Sequence, residues 1–305
     1  MWIIVAITAY FLLALVVVLD KYLLSGPLPN PKLYAFAIGM FGVIALALIP
    51  FGFLLIPAWP IIVLGIFAGV IQIFAILALF SGLKKFEASR IIPAIGGLLP
   101  IFTLLFTICL GRAILEGADM FAFVFLVLGS IGVSFEKRKL LTLQSLGYAF
   151  VAALLFSIFV VLSKFVYEVQ PFISGLLWII IGSFVAALLL LLSGELRREV
   201  SNTLRKKGDV KKALSRHVFL LFAVNQALGA LGFVLQNWAV ALAPFAYISF
   251  VNALEGIKYI FVFALASVIS LAFPRVLKER MSKDVIMQKL FAIVSVGIGL
   301  ALLAL

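Results

Sequence analysis

Long apolar runs constrain the fold of this chain more than any other feature. Each run has about 20 residues or more, the length that a helix needs to cross a bilayer, and none alternates as a barrel strand would. The predicted spans are 2–24, 32–53, 59–82, 88–110, 116–135, 143–167, 172–193, 217–242, 245–272 and 287–305. The sequence therefore predicts an all-α integral membrane protein with ten transmembrane helices.

Composition supports a membrane protein over a soluble one. Of the 305 residues, 66% are hydrophobic and 12% are charged, whereas a soluble domain is about half apolar and a quarter charged. The chain begins Met-Trp-Ile-Ile-Val, without a basic segment or a small-residue cleavage site. The first run is therefore predicted to be a retained helix and not a signal peptide.

The positive charge is distributed between alternate loops. All of the 24 Lys and Arg residues except Arg112, Lys164 and Lys258 lie in the odd-numbered loops or at the span ends that border them. Because cytoplasmic loops collect positive charge, these loops are predicted to face the cytoplasm, with both termini outside the plasma (inner) membrane. The net charge of +12 thus indicates topology and attraction to the lipid bilayer, and no nucleic-acid partner is expected.

The loop at 195–216 is the longest polar stretch, with the sequence ELRREVSNTLRKKGDVKKALSR. Two interpretations stay open for it. It is either an amphipathic surface helix broken near Gly208 or a solvated cytoplasmic linker.

The chain also carries a weak internal repeat. With gaps in loops, residues 1–139 align with residues 140–305, so that Lys21 meets Lys164 and Gly69 meets Gly229. Further matches are Pro31 with Pro171, Gly42 with Gly182, Ala94 with Ala253, Gly97 with Gly256, Ile101 with Ile260, Phe102 with Phe261, and Gly132 with Gly299. Five spans per repeat invert the second copy, an arrangement that transporters use to place a substrate site near the midplane.

Several short motifs resemble the drug/metabolite transporter superfamily, EamA type. They are Leu77-Ala78-Leu79-Phe80, Glu87-Ala88-Ser89-Arg90, Leu98-Leu99-Pro100-Ile101-Phe102-Thr103, Leu110-Gly111, Gly129-x-x-Gly132-Val133 and Asn252-Ala253-Leu254-Glu255-Gly256. The sequence departs from the family at Arg112, where Glu is usual, and at Gly256, where Pro is usual. The resemblance implies two EamA-like five-helix repeats around a cavity lined by spans 1, 3, 4, 6, 8 and 9, and leaves the substrate open.

Polar residues inside apolar spans are candidates for the substrate cavity, because they are costly in hydrocarbon. In span 8, Asn225, Gly229, Gly232 and Gln236 follow one another at i, i+4, i+7 and i+11 on one helical face. The alternative is that this face packs against another helix.

Span 9 carries a second set of candidates. Asn252, Glu255, Gly256 and Tyr259 lie along one face, and Lys258 follows Glu255 by three residues, a spacing at which the two side chains can pair. Either this is a structural ion pair, or Glu255 binds protons or a cationic group while Lys258 binds an anion.

The remaining cavity candidates lie on spans 1, 3, 4 and 6. Tyr10, Gln72 and Ser157 supply polar groups, although packing is the stronger interpretation for Gln72. Lys164 can pair with Glu168, four residues later, and if it does it is an ordinary snorkelling residue. In span 4, Pro93, Gly96, Gly97 and Pro100 predict a broken helix that lines the cavity, with a simple kink as the alternative.

Catalytic and cofactor motifs are missing from the sequence, so we expect neither an enzyme nor a cofactor or metal site. The single histidine, His217, and the single cysteine, Cys109, leave little for metal or disulfide chemistry, and no Walker motif is present. The expected function is secondary transport of a small polar, amino-acid-like metabolite by alternating access. A lipid-linked carrier flippase and a non-transporting structural subunit are the alternatives.

Glycines in spans 5 and 10 offer a surface for close helix packing. They are Gly129, Gly132, Gly297 and Gly299. Small residues of this kind bring helices together in lipid, and they are equally compatible with a homodimer contact and with packing inside one chain.

The predicted topology can be tested by cysteine labelling. In a Cys109→Ser background, an impermeant thiol reagent added outside should label a cysteine placed before Trp2 and should miss one placed in the loop at 195–216. The reverse pattern of labelling would refute the orientation.

Overall fold

The chain is helical throughout its described residues. The computed structural model describes residues 1–23, 30–86, 88–134, 143–205, 216–272 and 283–304, and no strand is found among them. The basic stretch 137–139, the loop from 206 to 215 with the predicted break at Gly208, and Glu87 lie outside these ranges, as do the side chains of Asp20 and Lys21.

We number the α-helices in chain order. They are α1 Trp2–Leu23, α2 Pro31–Gly42, α3 Trp59–Lys85, α4 Ala88–Cys109, α5 Ala118–Ser134, α6 Leu143–Val169, α7 Phe172–Leu190, α8 Gly194–Arg205, α9 Arg216–Leu242, α10 Ile248–Ala253, α11 Glu255–Ala272 and α12 Lys283–Ala304. Two 3-10 helices, Val43–Phe51 and Phe245–Tyr247, precede α3 and α10.

Seven helical segments among the described residues are long and apolar enough to cross a membrane. They are Trp2–Leu19, Pro31–Phe51, Trp59–Lys85, Ile91–Cys109, Leu143–Val169, Phe172–Leu190 and Phe245–Leu265, and two shorter apolar helices cover Ala118–Gly132 and Leu290–Leu303. The structure is thus that of a helical multi-pass membrane protein.

Span 2 is not one continuous α-helix, contrary to the prediction for 32–53. The α-helix ends at Gly42 and a 3-10 helix continues to Phe51 with Pro50 inside it. Proline lacks the N–H that an α-helix needs, and its ring clashes with the carbonyl four residues before it. Gly52 then ends the segment with a φ of 80°, a left-handed conformation that favours glycine.

The described helices form two compact units. The first unit contains residues 1–26, 92–140 and 215–305, and the second contains 27–91 and 141–214. Each unit takes helices from both halves of the sequence, so the units are a different division from the predicted repeats 1–139 and 140–305, which stay a prediction.

In the first unit, antiparallel helix pairs meet at glycines. Helix α1 runs against α9, where a Cβ added to Gly232 would lie 2.9 Å from the Leu13 side chain. Helix α5 runs against α12 with reciprocal contacts. A Cβ at Gly129 would lie 3.0 Å from the Ala292 carbonyl, and one at Gly299 would lie 3.0 Å from the Ala122 carbonyl. These glycines therefore pack helices inside the chain.

The second unit contains two further antiparallel pairs. Helix α3 runs against α6, with Gly82 beside Tyr148 at one end and Gly65 near Val166 at the other. Helix α2 runs against α7, with Gly39 beside Ala187. Buried Ala35, Ile73, Ile76 and Ala186 form a core cluster between these helices, and Phe80 and Phe156 pack against it.

Helix α8 begins the loop at 195–216 and is tied to the start of α2. Lys32 Nζ lies 2.8 Å from Glu195 Oε2, and Asn30 Nδ2 donates to Glu199 Oε2 at 2.6 Å. The hydrogen bond and positive charge of Lys32 lower the pKa of the Glu195 carboxyl. Leu196 is fully buried while Arg197 and Arg198 are exposed, so this part of the loop is an amphipathic helix and not a solvated linker.

The closest approach in the second unit joins α3 and α7. A Cβ at Gly69 would collide with the Ile179 carbonyl oxygen, and a Cβ at Gly182 would collide with the Ile66 carbonyl oxygen. Both obstacles are backbone atoms, which cannot rotate away as a side chain can. Only glycine fits at these two positions.

We predict that Gly182→Ala destabilises the protein by about 1–3 kcal/mol or more, because overpacking forces the backbones of α3 and α7 apart. Gly147→Ala is the control, since a Cβ at Gly147 meets no atom within 4 Å. Thermal unfolding in detergent should show a lowered midpoint for Gly182→Ala alone. Equal midpoints for the two variants would contradict the close approach.

Candidate functional site

Tyr10 joins three helices of the first unit through its hydroxyl group. The side chain is 1% exposed. Its hydroxyl donates to the Val251 carbonyl at 2.7 Å, and Gln236 Nε2 lies 3.5 Å from the same hydroxyl. Two predicted cavity residues, Tyr10 and Gln236, are therefore brought together, with the carbonyl of α10 as a partner that the sequence did not indicate.

The Val251 carbonyl needs an outside donor because the helix is interrupted next to it. In a continuous α-helix this carbonyl would accept the N–H of residue 255. Here α10 ends at Ala253, and Leu254 forms a turn before α11 starts at Glu255. The Ile257 N–H donates to the Leu254 carbonyl at 2.9 Å, a tightened i+3 bond. The Tyr10 hydroxyl thus satisfies a carbonyl that the turn releases.

An ion pair follows this turn directly. Lys258 Nζ contacts Glu255 Oε1 one turn along α11, with side-chain exposures of 15% and 18%. The same ammonium group lies 4.8 Å from the centre of the Tyr259 ring, within reach of a cation–π interaction. The structure therefore places a compensated pair of charges inside the apolar segment Phe245–Leu265.

Asn252 extends the polar cluster toward α4. Its Nδ2 donates to Thr103 Oγ1 at 2.9 Å, and Thr103 in turn donates to the Leu99 carbonyl at 2.8 Å. Both side chains are buried. The Ser249 hydroxyl is also buried and has no hydrogen-bond partner among the described residues. The sequence analysis included Thr103 only as part of a motif and did not predict its contact with Asn252. That partner is 149 residues away in the chain, and only tertiary packing brings the two together.

The polar face of α9 lies against α1. Gly232 contacts Leu13 and Ala9, Gln236 contacts Tyr10, and Gly229 lies in ordinary contact distance of Val16. Asn225 is 3% exposed. At Gly232 and Gly229 the structure supports the packing interpretation of this stripe, while Gln236 belongs to the polar cluster.

Helix α4 is continuous through both of its prolines. Pro93 and Pro100 lie inside the single helix Ala88–Cys109, so the prediction that span 4 is broken is wrong. The interruption occurs instead at Leu254 in span 9, which the repeat aligns with span 4.

The glycines of span 4 and Gly256 provide close contact with α5. A Cβ at Gly97 would lie 2.7 Å from Ile131, and one at Gly96 would lie 3.4 Å from Ser130 Oγ. A Cβ at Gly256 would lie 2.7 Å from Ser130 Cα. Glycine at position 256 therefore lets α11 approach the α5 backbone.

Gln72 and Ser157, the two cavity candidates in the second unit, make local structural contacts. Gln72 Oε1 accepts from Ser183 Oγ at 3.0 Å and so links α3 to α7. Ser157 is buried and donates to the Leu154 carbonyl within its own helix. Lys164 Nζ lies 4.0 Å from Glu168 Oε1, in the pairing that their spacing predicts.

A separate cleft of about 540 Å³ lies in the second unit between α3 and α6, and no predicted cavity residue lines it. Its lining includes Ser81, Lys85, Gln144 and Tyr148. Among the described residues, no three His, Cys, Asp or Glu side chains come together as a metal site would require.

No protein-family model matches this chain, and no curated protein matches it. Fifteen chains of solved structures are similar to it. One of them, described only as the crystal structure of a protein, has a TM-score of 0.66 and 16% sequence identity, and the match covers 98% of this chain and 96% of that chain. At this identity the likeness shows a shared fold alone, over nearly the whole chain.

We predict that Tyr10→Phe destabilises the protein by about 1–3 kcal/mol, because the Val251 carbonyl then lacks its donor in a buried site. Thr8→Val on the same helix is the matched control, since the exposed Thr8 hydroxyl bonds only within α1, to the Ile4 carbonyl. Thermal unfolding in detergent measures both. If Thr8→Val lowers the midpoint as much as Tyr10→Phe, the Tyr10 bond is not what holds the turn.

Proposed function

We propose that this protein is a secondary transporter of the EamA type, which moves a small polar, amino-acid-like solute by alternating access. The observation that carries the proposal is the interruption at Leu254, followed at once by the Glu255–Lys258 pair inside an apolar segment. Transporters build their substrate and ion sites from discontinuous helices near the midplane. Charged side chains at membrane depth are rare and mark functional sites by default.

The helix pairs support ten spans arranged as two inverted repeats. The sequence alignment relates span 1 to span 6 and span 3 to span 8. Helix α1 (span 1) pairs with α9 (span 8), and α3 (span 3) pairs with α6 (span 6). The alignment therefore maps the α1–α9 pair onto the α6–α3 pair, and both pairs are antiparallel. The pairs α2–α7 and α5–α12 each map onto themselves, and their two members run in opposite directions. Antiparallel pairing of repeat-related helices is what inverted repeats produce.

The chemistry of the first unit favours a zwitterionic or neutral polar solute. The amide groups of Asn252 and Gln236 and the hydroxyl of Tyr10 lie near one carboxylate and one ammonium group that already compensate each other. A solute with both an amino and a carboxylate group can exchange partners with Glu255 and Lys258 and leave no net charge in the membrane. A solute with a net charge would leave either Glu255 or Lys258 without an oppositely charged partner.

Glu255 is the proposed site of proton coupling. It is the carboxylate that the polar cluster contains, and protonation would release Lys258 from the pair. By the distribution of basic loops, we place the protein in the plasma membrane with the odd-numbered loops in the cytoplasm. The proposed solute leaves the cell or exchanges across this membrane.

The test is solute uptake into proteoliposomes, with a panel of labelled amino acids and other small polar metabolites, with and without a pH gradient. Glu255→Gln should lower gradient-driven flux of the transported solute at least about tenfold. A tenfold change corresponds to about 1.4 kcal/mol, the free energy that we assign to one charge-dependent step. Glu116→Gln is the control, because Glu116 is an exposed loop carboxylate. It should leave the flux unchanged.

The other outcomes separate the remaining interpretations. Unchanged gradient-driven flux in Glu255→Gln refutes coupling through this residue but leaves transport standing. Absence of flux for the whole panel, combined with scrambling of a labelled lipid-linked carrier, favours a flippase. Absence of both activities, with Ala tolerated at Asn225 and Gln236, is the result expected of a structural subunit.

A further inference from the structure

The cleft between α3 and α6 is polar at one end. Lys85 Nζ contacts the Tyr148 hydroxyl at 2.6 Å and lies 5.0 Å from the centre of the Tyr148 ring. Phe86 packs beside the same ring with the centroids 6.0 Å apart. Ser81 and Gln144 complete the polar lining. Hydrogen-bond donors thus gather where the last turn of α3 meets the first turn of α6.

The opposite end of the cleft is apolar. Ala78 and Val151 line it, and the antiparallel course of the two helices places them about two turns away from Lys85 and Gln144. Beyond them, Phe74 on α3 is exposed and continues the apolar face, at spacings of four and seven residues from Ala78 and Ser81. The cleft therefore changes from donor-rich to apolar along its length, as an amphiphile does.

The charge of the cleft and its position relative to the bilayer favour an anionic amphiphile. None of the described residues that line the cleft is acidic, so no carboxylate among them neutralises the Lys85 ammonium. Helix α3 has 27 residues, about 40 Å of helix, which matches a bilayer with its headgroups. Lys85 at the end of this helix therefore lies at headgroup level, where lysine binds a phosphate as a point charge.

We propose that this cleft is a binding site for an anionic phospholipid. Lys85, Tyr148, Gln144 and Ser81 hold the phosphate and the polar headgroup, while the acyl chains follow the apolar surface past Ala78 and Val151. The open cleft has a volume of about 540 Å³, a size typical of small-molecule sites. This site is separate from the polar cluster of the first unit, and it does not depend on transport.

Gly147 supplies a way to close the cleft without removing a charge. It lies in the lining, and a Cβ added there meets no atom within 4 Å. Gly147→Leu therefore fills the open space with little strain, and leucine is a better helix former than glycine.

The experiment is native mass spectrometry of the full chain in detergent, titrated with dioleoyl phosphatidylglycerol or with dioleoyl phosphatidylcholine. Phosphatidylglycerol should bind about tenfold more tightly than phosphatidylcholine. Lys85→Gln should abolish most of this preference, and Gly147→Leu should block the tight site. Lys84→Gln is the matched control, because Lys84 is an exposed neighbour outside the lining, and it should change the affinity less than twofold. Thermal unfolding in the same detergent verifies that each variant is folded.

Three results would overturn the proposal. Equal losses in Lys84→Gln and Lys85→Gln would show general attraction of a basic loop to anionic lipid and not a built site. Unchanged binding to Gly147→Leu would place the lipid elsewhere. Competition by sn-glycerol 3-phosphate at the affinity of the lipid would assign the phosphate site to a water-soluble ligand.

Discussion

The structure depends on one constraint, that hydrocarbon offers no water to a released backbone group. A helix can be interrupted within an apolar segment only where another part of the protein supplies the missing donor. At Leu254 that donor is the Tyr10 hydroxyl on α1, which bonds the Val251 carbonyl while Gln236 on α9 lies beside it. The turn places Glu255 at the first position of α11, one turn from Lys258. Positive partial charge at a helix start favours an anion there. The Tyr10 hydrogen bond therefore stabilises the turn, and the turn positions the Glu255–Lys258 pair.

Close packing of backbones provides the second contribution to stability. Helices in lipid gain little from hydrophobic burial against one another, so small residues that permit short contacts determine which faces meet. Gly129 of α5 faces Ala292 of α12, Gly299 of α12 faces Ala122 of α5, and Gly232 on α9 contacts Leu13 of α1. The polar and small residues of one helix face thus have different tasks. On α9, Gly232 packs a neighbouring helix, whereas Gln236, four residues later, takes part in a hydrogen-bond cluster.

Local features of the chain were predictable from its sequence, and long-range partners were not. Apolar length predicted where helices lie, and the spacing of Glu255 and Lys258 predicted a contact that the structure forms. Two prolines in span 4 predicted an interruption that is absent, because proline removes one bond but does not have to end a helix whose neighbours accommodate it. The interruption at Leu254 depends on the Tyr10 hydroxyl, which is 241 residues away in the chain from its acceptor Val251, and no periodicity in span 9 predicts it. The Asn252–Thr103 bond and the cleft beside Lys85 require the antiparallel register of helices, which a single sequence does not contain.

The contact of α3 with α7 has a mechanical consequence. Carbonyl oxygens of each helix fill the space where the glycine of the other has no side chain, at Gly69 and at Gly182, and the Gln72–Ser183 bond lies beside them. Sliding or rotating either helix would force backbone atoms of one helix into those of the other, so α3 and α7 move together as one rigid body. Any flexing of the second unit therefore has to occur away from the contact between α3 and α7.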